Sequence, residues 1–302
     1  MTAETHGSGF SGRRAASRWR DNPIVDFTIA QPLGMAGAIA ILLMVLAALL
    51  ADRIAPYDPV AIDFGSMLAS PSLDHPFGTD SFGRDILSRI MYGARTALTI
   101  GFLSSFVGCT IGAILGIASA YYGGWRDLLV QRGIDLLLSF PIIVLALVVV
   151  AMLGQNKVGG IDLNLIWAIV VPIIPRAARV IRSAALSIRE MAYIDAARAA
   201  GYSSARIILR HMAPNVLGPY LILVTAYIAQ AILLEASLSF LGLGVHEPTP
   251  AWGLMLSGNA ANFYQEAPWM ILFPGAAISL SVFGFNLVGD ALRDWLDPRL
   301  KT

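Results

Sequence analysis

Residues 96–121 read TALTIGFLSSFVGCTIGAILGIASAY, a run of 26 residues that contains no Asp, Glu, Lys or Arg. A helix needs about 20 apolar residues to cross the roughly 30 Å hydrocarbon layer of a membrane, so this run is long enough to span one. Four further stretches meet the same requirement, with Glu235 as their single charged residue: 34–51, 136–153, 216–236 and 269–289. These five stretches predict an all-α integral membrane protein.

A sixth stretch, residues 163–181, is weaker because Arg176 and Arg179 interrupt it. It crosses the membrane if both arginines extend their charged ends to the interface. With six crossings, 16 of the Lys and Arg residues fall on the cytoplasmic side and five on the outside. Without the sixth crossing, eight basic residues between 154 and 215 would lie outside, against the positive-inside rule. The sequence therefore predicts six transmembrane helices with both termini cytoplasmic.

Composition supports a membrane protein and excludes several other classes. Of the 302 residues, 56% are hydrophobic and only 14% are charged, against roughly 25% charged in a soluble domain. A net charge of +1 excludes a strongly basic nucleic-acid binder. The single Cys109 excludes an internal disulfide and a cysteine-based metal site. Neither Lys157 nor Lys301 lies in a phosphate-binding loop, so we expect no ATP hydrolysis by this chain through such a loop.

The predicted outer segment 52–95 is rich in turn-forming residues, with HPFGTDSFGRD at 75–85. We expect it to cap the outer face, with a short separate helix over residues 86–91. The outer segment after the fifth span contains SLSFLGLG at 237–244 and PTPAWG at 248–253. Trp252 in the second motif is predicted to lie at the membrane interface.

The predicted inner segment 187–215 contains DAARAAG at 195–201, a helix with almost no large side chains. Gly201 is predicted to end this helix in a left-handed conformation. Ser203 or Ser204 would then cap a second helix over residues 205–212, and Pro214 would end it. Small side chains flanked by arginines suit insertion into a groove on a partner protein, but they also suit a solvated connector. Both interpretations remain open from local sequence.

The charged residues and histidines of the sequence bear on two other classes of membrane protein. A secondary transporter driven by an ion gradient usually carries ionisable residues near the bilayer midplane, whereas Glu235 is predicted near the outer end of its span. Glu235 either gates a translocation path or forms an interfacial hydrogen bond. An intramembrane enzyme is disfavoured, because no His-Glu-x-x-His motif or nucleophile–base pair is present. The four histidines, which all lie outside the span interiors, are His6, His75, His211 and His246.

Four stretches together resemble the permease subunits of dipeptide/oligopeptide-type ABC importers, and within that class the second permease of the pair. They are residues 75–89, residues 195–201 with Pro214 and Asn215, residues 237–253, and residues 285–298. The family motif in the inner loop usually begins with Glu, where this chain has Asp195. The resemblance implies a type I ABC importer transmembrane domain over residues 92–290. Around it we expect an N-terminal tail (1–33), a first helix with its outer loop (34–91) and a C-terminal tail (291–302).

The resemblance also implies partners and site residues. The partners are a homologous permease, two cytoplasmic ATP-binding subunits that hold ATP and Mg, and an extracytoplasmic solute-binding protein, all at a bacterial inner membrane. This chain is expected to be no enzyme and to bind no cofactor, metal or nucleic acid itself. The residues expected to couple it to an ATPase are Asp195, Ala196, Ala197, Arg198, Gly201, Arg210 and Pro214. Glu235 and Phe240 are candidates for a gate or translocation path. Substrates of this class include dipeptides, oligopeptides, glutathione, nickel chelates and some oligosaccharides.

Overall fold

The computed structural model describes residues 31–154, 157–158 and 161–296. Most of the predicted N-terminal tail and the last six residues of the predicted C-terminal tail lie outside that part. The helices are α1 (Pro32–Ile54), α2 (Ile86–Tyr122), α3 (Gly124–Leu138), α4 (Ile142–Leu153), α5 (Leu163–Arg189), α6 (Ala192–Ala199), α7 (Ser204–Ile207), α8 (Ala213–Phe240), α9 (Trp252–Met255), α10 (Asn259–Asn262) and α11 (Trp269–Leu296). A 3₁₀ turn covers Phe64–Ser66, and a π-helical turn (Ile208–Met212) joins α7 to α8. Two short strands, β1 (Lys157–Val158) and β2 (Ile161–Asp162), pair antiparallel.

Within the described residues, five helices are long and apolar enough to cross a membrane: α1, α2, α5, the continuous α7–α8 unit (Ser204–Phe240) and α11. The bent pair α3–α4 makes a sixth candidate if it counts as one span. The prediction of an all-helical membrane fold is confirmed. The weak stretch 163–181 is confirmed as part of a helix, and α5 packs most extensively against α2.

Glycines bring α2 and α5 into close contact. A Cβ placed on Gly112 would lie 2.7 Å from Cβ of Ala177, and one on Gly108 would lie 2.8 Å from the Ile173 side chain. Gly116, one turn further along α2, faces the backbone of α5 in the same way. In a membrane, where no hydrophobic effect drives helices together, small residues allow the backbone approach that dispersion forces need. Residues 108, 112 and 116 therefore form the packing face of α2.

The remaining long helices complete the bundle around this pair. α8 packs against α2 and α11, and α11 packs against α1. The hydroxyl of Ser105 on α2 donates to the carbonyl of Val224 on α8 at 2.6 Å, which satisfies a buried polar group. On the opposite side of α1 a row of leucines is exposed, as expected for a lipid-facing helix; these are Leu33, Leu42, Leu43, Leu46, Leu49 and Leu50.

The expectation of one continuous helix over residues 136–153 is wrong. The chain bends by 94° between α3 and α4, and Pro141 stands at the N-terminus of α4. Proline has no N–H to donate into a preceding turn, and its ring disfavours a helical conformation at the residue before it. The apolar composition on both sides of Pro141 conceals this break.

Two other helix boundaries also differ from expectation. Residues 86–91 are not a separate helix but the first turns of α2, capped by Asp85, whose carboxylate accepts from the Ser88 backbone N–H at 2.8 Å. Ser203 does cap α7, yet Pro214 does not end the helix that follows. Because Pro214 lies in the first turn of α8, directly after the wide π turn, the chain continues as a helix to Phe240.

Candidate functional site

The segment expected to couple to an ATPase is α6 with its flanking turns. One face of α6 is buried, and its side chains are Ile194 and Ala197. These two side chains belong to an apolar cluster that also includes Ile207 of α7, Met212 of the π turn and Ile188 of α5. The cluster continues on α2 and α5 with Ala113, Ile117, Ala120, Ile181 and Ala185. Through this shared cluster α6 is packed into the apolar end of the bundle, and it is not a free, fully solvated connector.

Gly201 ends α6 as the sequence predicts, with φ of +76°. The N–H of Tyr202 donates to the carbonyl of Ala197 at 3.1 Å, and the N–H of Gly201 donates to the carbonyl of Arg198 at 2.9 Å. This pair of bonds is the Schellman motif, which needs a residue in the left-handed region and favours glycine there. No atom lies within 4 Å of where a Cβ on Gly201 would be.

The opposite face of α6 is exposed and nearly free of large side chains, with Ala196, Ala199 and Ala200 in the open. Asp195 and Arg198 are paired on this face, with Arg198 Nη1 3.0 Å from Asp195 Oδ1. The guanidinium of Arg198 also lies over the Tyr121 ring, 5.6 Å from its centroid. Arg198 thus ties α6 to the end of α2 while it remains available to a partner.

Arg210 and Pro214 are exposed, on the π turn and at the start of α8. Between them, His211 contacts two tyrosines: its ring centroid is 6.5 Å from that of Tyr193 and 5.9 Å from that of Tyr202. Sequence reasoning missed this aromatic contact because its members are separated along the chain and meet only when α6, α7 and the π turn fold together. It joins the two sides of the inner loop.

Glu235 and Phe240 occupy different environments at one end of α8. Glu235 is fully buried; its Oε1 accepts from the Ser239 hydroxyl at 2.7 Å, and its Oε2 has no hydrogen-bond partner among the described residues. Phe240 is half exposed and lines an apolar groove with Ile143 of α4 and Ile278 of α11. Glu235 is therefore packed inside the helix bundle, with one carboxylate oxygen bonded to its own helix.

The predicted outer loops are joined by charges. Arg84 holds Asp80 through Nε at 2.6 Å and Glu247 through Nη1 at 2.7 Å. Desolvation lowers the pKa of Arg84, but the hydrogen bond that Arg84 donates to Glu247 and the charge of Asp80 outweigh it and raise the pKa above its usual value. The guanidinium of Arg89 lies 3.7 Å from Glu247. One carboxylate after α8 therefore holds two arginines near the start of α2.

Two tryptophans form hydrogen bonds between these outer segments and the helices. Trp252 is buried, with Nε1 donating to the carbonyl of Ile90 at 3.0 Å, so its indole packs against protein and does not face lipid within the described residues. Trp269 donates through Nε1 to the carbonyl of Thr79 at 3.1 Å. Indole N–H groups buried in a protein need a partner, and these two find backbone carbonyls, one in α2 and one in the loop before it.

The described residues form a bundle of long apolar helices with a short loop helix packed at one end, which is the architecture of a membrane transport protein. Residues 108–302 match the family model of the binding-protein-dependent transport system inner membrane component, and residues 29–71 match that of the N-terminal transmembrane domain of oligopeptide transport permease C. The chain belongs to the first of these families. It is the permease subunit of an ABC importer in the inner membrane and not a secondary transporter.

Several curated proteins are similar over most of the chain. The dipeptide transport system permease protein DppC of Alkalihalophilus pseudofirmus is 43% identical over 270 residues, covering 89% of this chain and 87% of that protein. A putative peptide transport system permease protein of Brucella suis is 44% identical over 265 residues, 88% and 87% of the two chains. The glutathione transport system permease protein GsiD of Escherichia coli is 43% identical over 272 residues, 90% and 88%.

Proposed function

We propose that this subunit passes peptides, or a similar small solute, from a solute-binding protein into the cell. Support comes from the relatives, whose names specify dipeptide, peptide and glutathione transport. In this proposal the chain pairs with a homologous permease, and two separate ATP-binding subunits hold ATP and Mg. Both termini are cytoplasmic, in line with the 16-to-5 distribution of basic residues.

The seating of α6 is the observation that carries the proposed mechanism. Ile194 and Ala197 hold α6 in an apolar cluster shared with α2 and α5, while its exposed face offers small side chains and the Asp195–Arg198 pair to an ATPase. A displacement of α6 is therefore transmitted to packed helices. Closure of the ATPase pair would rotate the permeases as rigid bodies and alternate access to the substrate path, with Glu235 and Phe240 near its outer end.

The experiment is transport by the whole complex in proteoliposomes. We expect ATP-dependent uptake of a labelled dipeptide, and stimulation of ATP hydrolysis by the peptide-loaded binding protein. A complex whose ATPase subunits cannot hydrolyse ATP is the control and should show no uptake. Uptake that persists in that control would contradict the proposal. The proposal would also be contradicted if the binding protein failed to stimulate ATP hydrolysis with each of a dipeptide, an oligopeptide and glutathione bound to it in turn.

A further inference from the structure

The helix α3 has its acidic residues turned toward the bundle. Asp127 accepts from Arg182 Nε at 2.7 Å and from the Ser119 hydroxyl, and Asp135 pairs with Arg179. Asp127 and Asp135 are the only acidic residues of α3. Their charges are thus matched by arginines of α5, and the helix adds no unpaired negative charge to its outer face.

The opposite face of α3 carries an apolar stripe with an arginine inside it. Trp125, Leu129, Arg132 and Leu136 follow one another at spacings of four, three and four residues, which places them on one side of a helix. Trp125 is 71% exposed and Leu136 is 65% exposed. Arg132 is exposed and makes no ion pair with any residue in the described part of the chain.

A second cation lies beside this stripe. Arg126 is exposed, and its guanidinium is held over two aromatic rings, 5.4 Å from the centroid of Tyr122 and 5.8 Å from that of Trp125. These contacts use the faces of the rings and leave the N–H groups of Arg126 available. Aromatic and arginine side chains combined in this way are typical of helices at a membrane–water interface.

Two ion pairs hold α3 against the end of the bundle. These two ion pairs are eight residues apart on α3, about 12 Å, but their partners Arg179 and Arg182 are three residues apart on α5, about 4.5 Å. Both ion pairs therefore tie α3 to a single turn of α5. The bend of 94° at Pro141 then turns the chain from α3 into α4.

We propose that α3 lies in the inner membrane–water interface and binds the headgroup of an anionic phospholipid through Arg132 and Arg126. The proposal relies on the cytoplasmic orientation proposed above for this end of the bundle. Trp125, Leu129 and Leu136 enter the acyl region, where an arginine among them is costly unless it reaches an anion at the interface. A guanidinium binds a phosphate in a bidentate manner, and a negatively charged leaflet attracts both arginines.

Position is tested first, on the complete transporter in lipid nanodiscs. Gly133 is exposed and no atom lies within 4 Å of a Cβ added there, so Gly133→Cys in a Cys109→Ala background accepts a nitroxide without distortion. We expect collisions with oxygen to exceed those with a water-soluble nickel chelate, at headgroup depth. A label at Ser204→Cys is the aqueous control. Preferential collision with nickel, or exclusion of both reagents by a covering subunit, would overturn the proposal whatever the transport activity.

Lipid selectivity is tested with a fluorophore at Gly133→Cys. Doxyl-labelled phosphatidylglycerol should quench it more strongly than doxyl-labelled phosphatidylcholine, and the preference should fall about fivefold for each arginine removed in Arg126→Gln and Arg132→Gln. Arg293→Gln removes an exposed arginine of α11 and is the matched control, with the preference unchanged. Raising the salt to about 1 M should weaken the preference in the unmodified protein. Equal quenching by the two lipids, or a preference insensitive to both salt and substitution, would refute headgroup binding.

Discussion

At the scale of single residues, the left-handed backbone conformation of Gly201 leads to a testable prediction about coupling to the ATPase. The sequence pattern of a small-residue helix followed by glycine predicts the left-handed turn, and the φ of +76° confirms it. Because the space around an added Cβ is empty within this chain, a substitution there acts through backbone strain or against a partner, and not through a clash within the subunit.

We predict that Gly201→Val uncouples transport from ATP hydrolysis. A β-branched residue in the left-handed region costs roughly 1–3 kcal/mol, so the turn after α6 should rearrange. In proteoliposomes containing the whole complex, uptake and binding-protein-stimulated hydrolysis should fall at least about fivefold while the permease remains at normal abundance. Gly201→Asn is the matched control, because asparagine tolerates this conformation better. Normal coupling in Gly201→Val would remove the turn from the mechanism.

Asp195 supports a second prediction at this scale. Asp195→Lys replaces the attraction to Arg198 by repulsion on the exposed face of α6. Exposed ion pairs contribute little to folding, so the protein should insert normally. We expect a coupling defect milder than that of Gly201→Val, measured as stimulated hydrolysis per molecule of uptake. Asp195→Asn, which removes charge without reversing it, should lie between the unmodified protein and Asp195→Lys. Equal activity of all three would show that this charge does not contact the ATPase.

At the scale of helices, the contact of α2 with α5 depends on glycine. A Cβ at Gly112 would lie 2.7 Å from Cβ of Ala177 and 2.8 Å from the backbone oxygen of Ile174. Backbone atoms cannot move aside by rotating a side chain, so the two helices would have to separate.

Gly112→Ala should therefore destabilise the bundle by about 1–3 kcal/mol, the usual cost of overpacking. The measurement is thermal unfolding of the purified complex in detergent. Gly218→Ala on α8 is the control, since nothing lies within 4 Å of its added Cβ, and it should leave the transition unchanged or raise it slightly because alanine is the better helix former. An unaltered transition in Gly112→Ala would mean that α2 and α5 separate without cost.

Helix existence could be predicted from sequence more reliably than helix ends. Apolar runs report only the part of a helix inside the bilayer, so they identify α1, α2, α5, α8 and α11 but miss the extension of α2 back to Ile86. That extension depends on the cap at Asp85, and the break at Pro141 depends on one residue within an apolar run. Gly201 could be predicted because its conformation is local. The seat of α6 and the burial of Glu235 and Trp252 could not, because they depend on side chains distant in sequence.

At the scale of the whole molecule, topology can be tested directly. In a Cys109→Ala background, a cysteine at Ser204 should react with a membrane-impermeant maleimide only from the cytoplasmic side, and one at Ser257 only from outside. The two positions lie at opposite ends of the continuous helix Ser204–Phe240 and the loop that follows it. Solubilised protein is the control in which both should react. Labelling of both from one side of the intact membrane would invalidate the proposed coupling surface.

The continuous helix from Ser204 to Phe240 makes the inner loop and the outer end of the bundle parts of one lever. At 1.5 Å per residue its 37 residues measure about 55 Å, and a tilt of about 5° at one end moves the other by about 5 Å. In the proposed mechanism, the π turn at Ile208–Met212 lies near the end of this helix that an ATPase would displace. The displacement would then reach the opposite end of the bundle through one continuous helix, without a series of intermediate contacts.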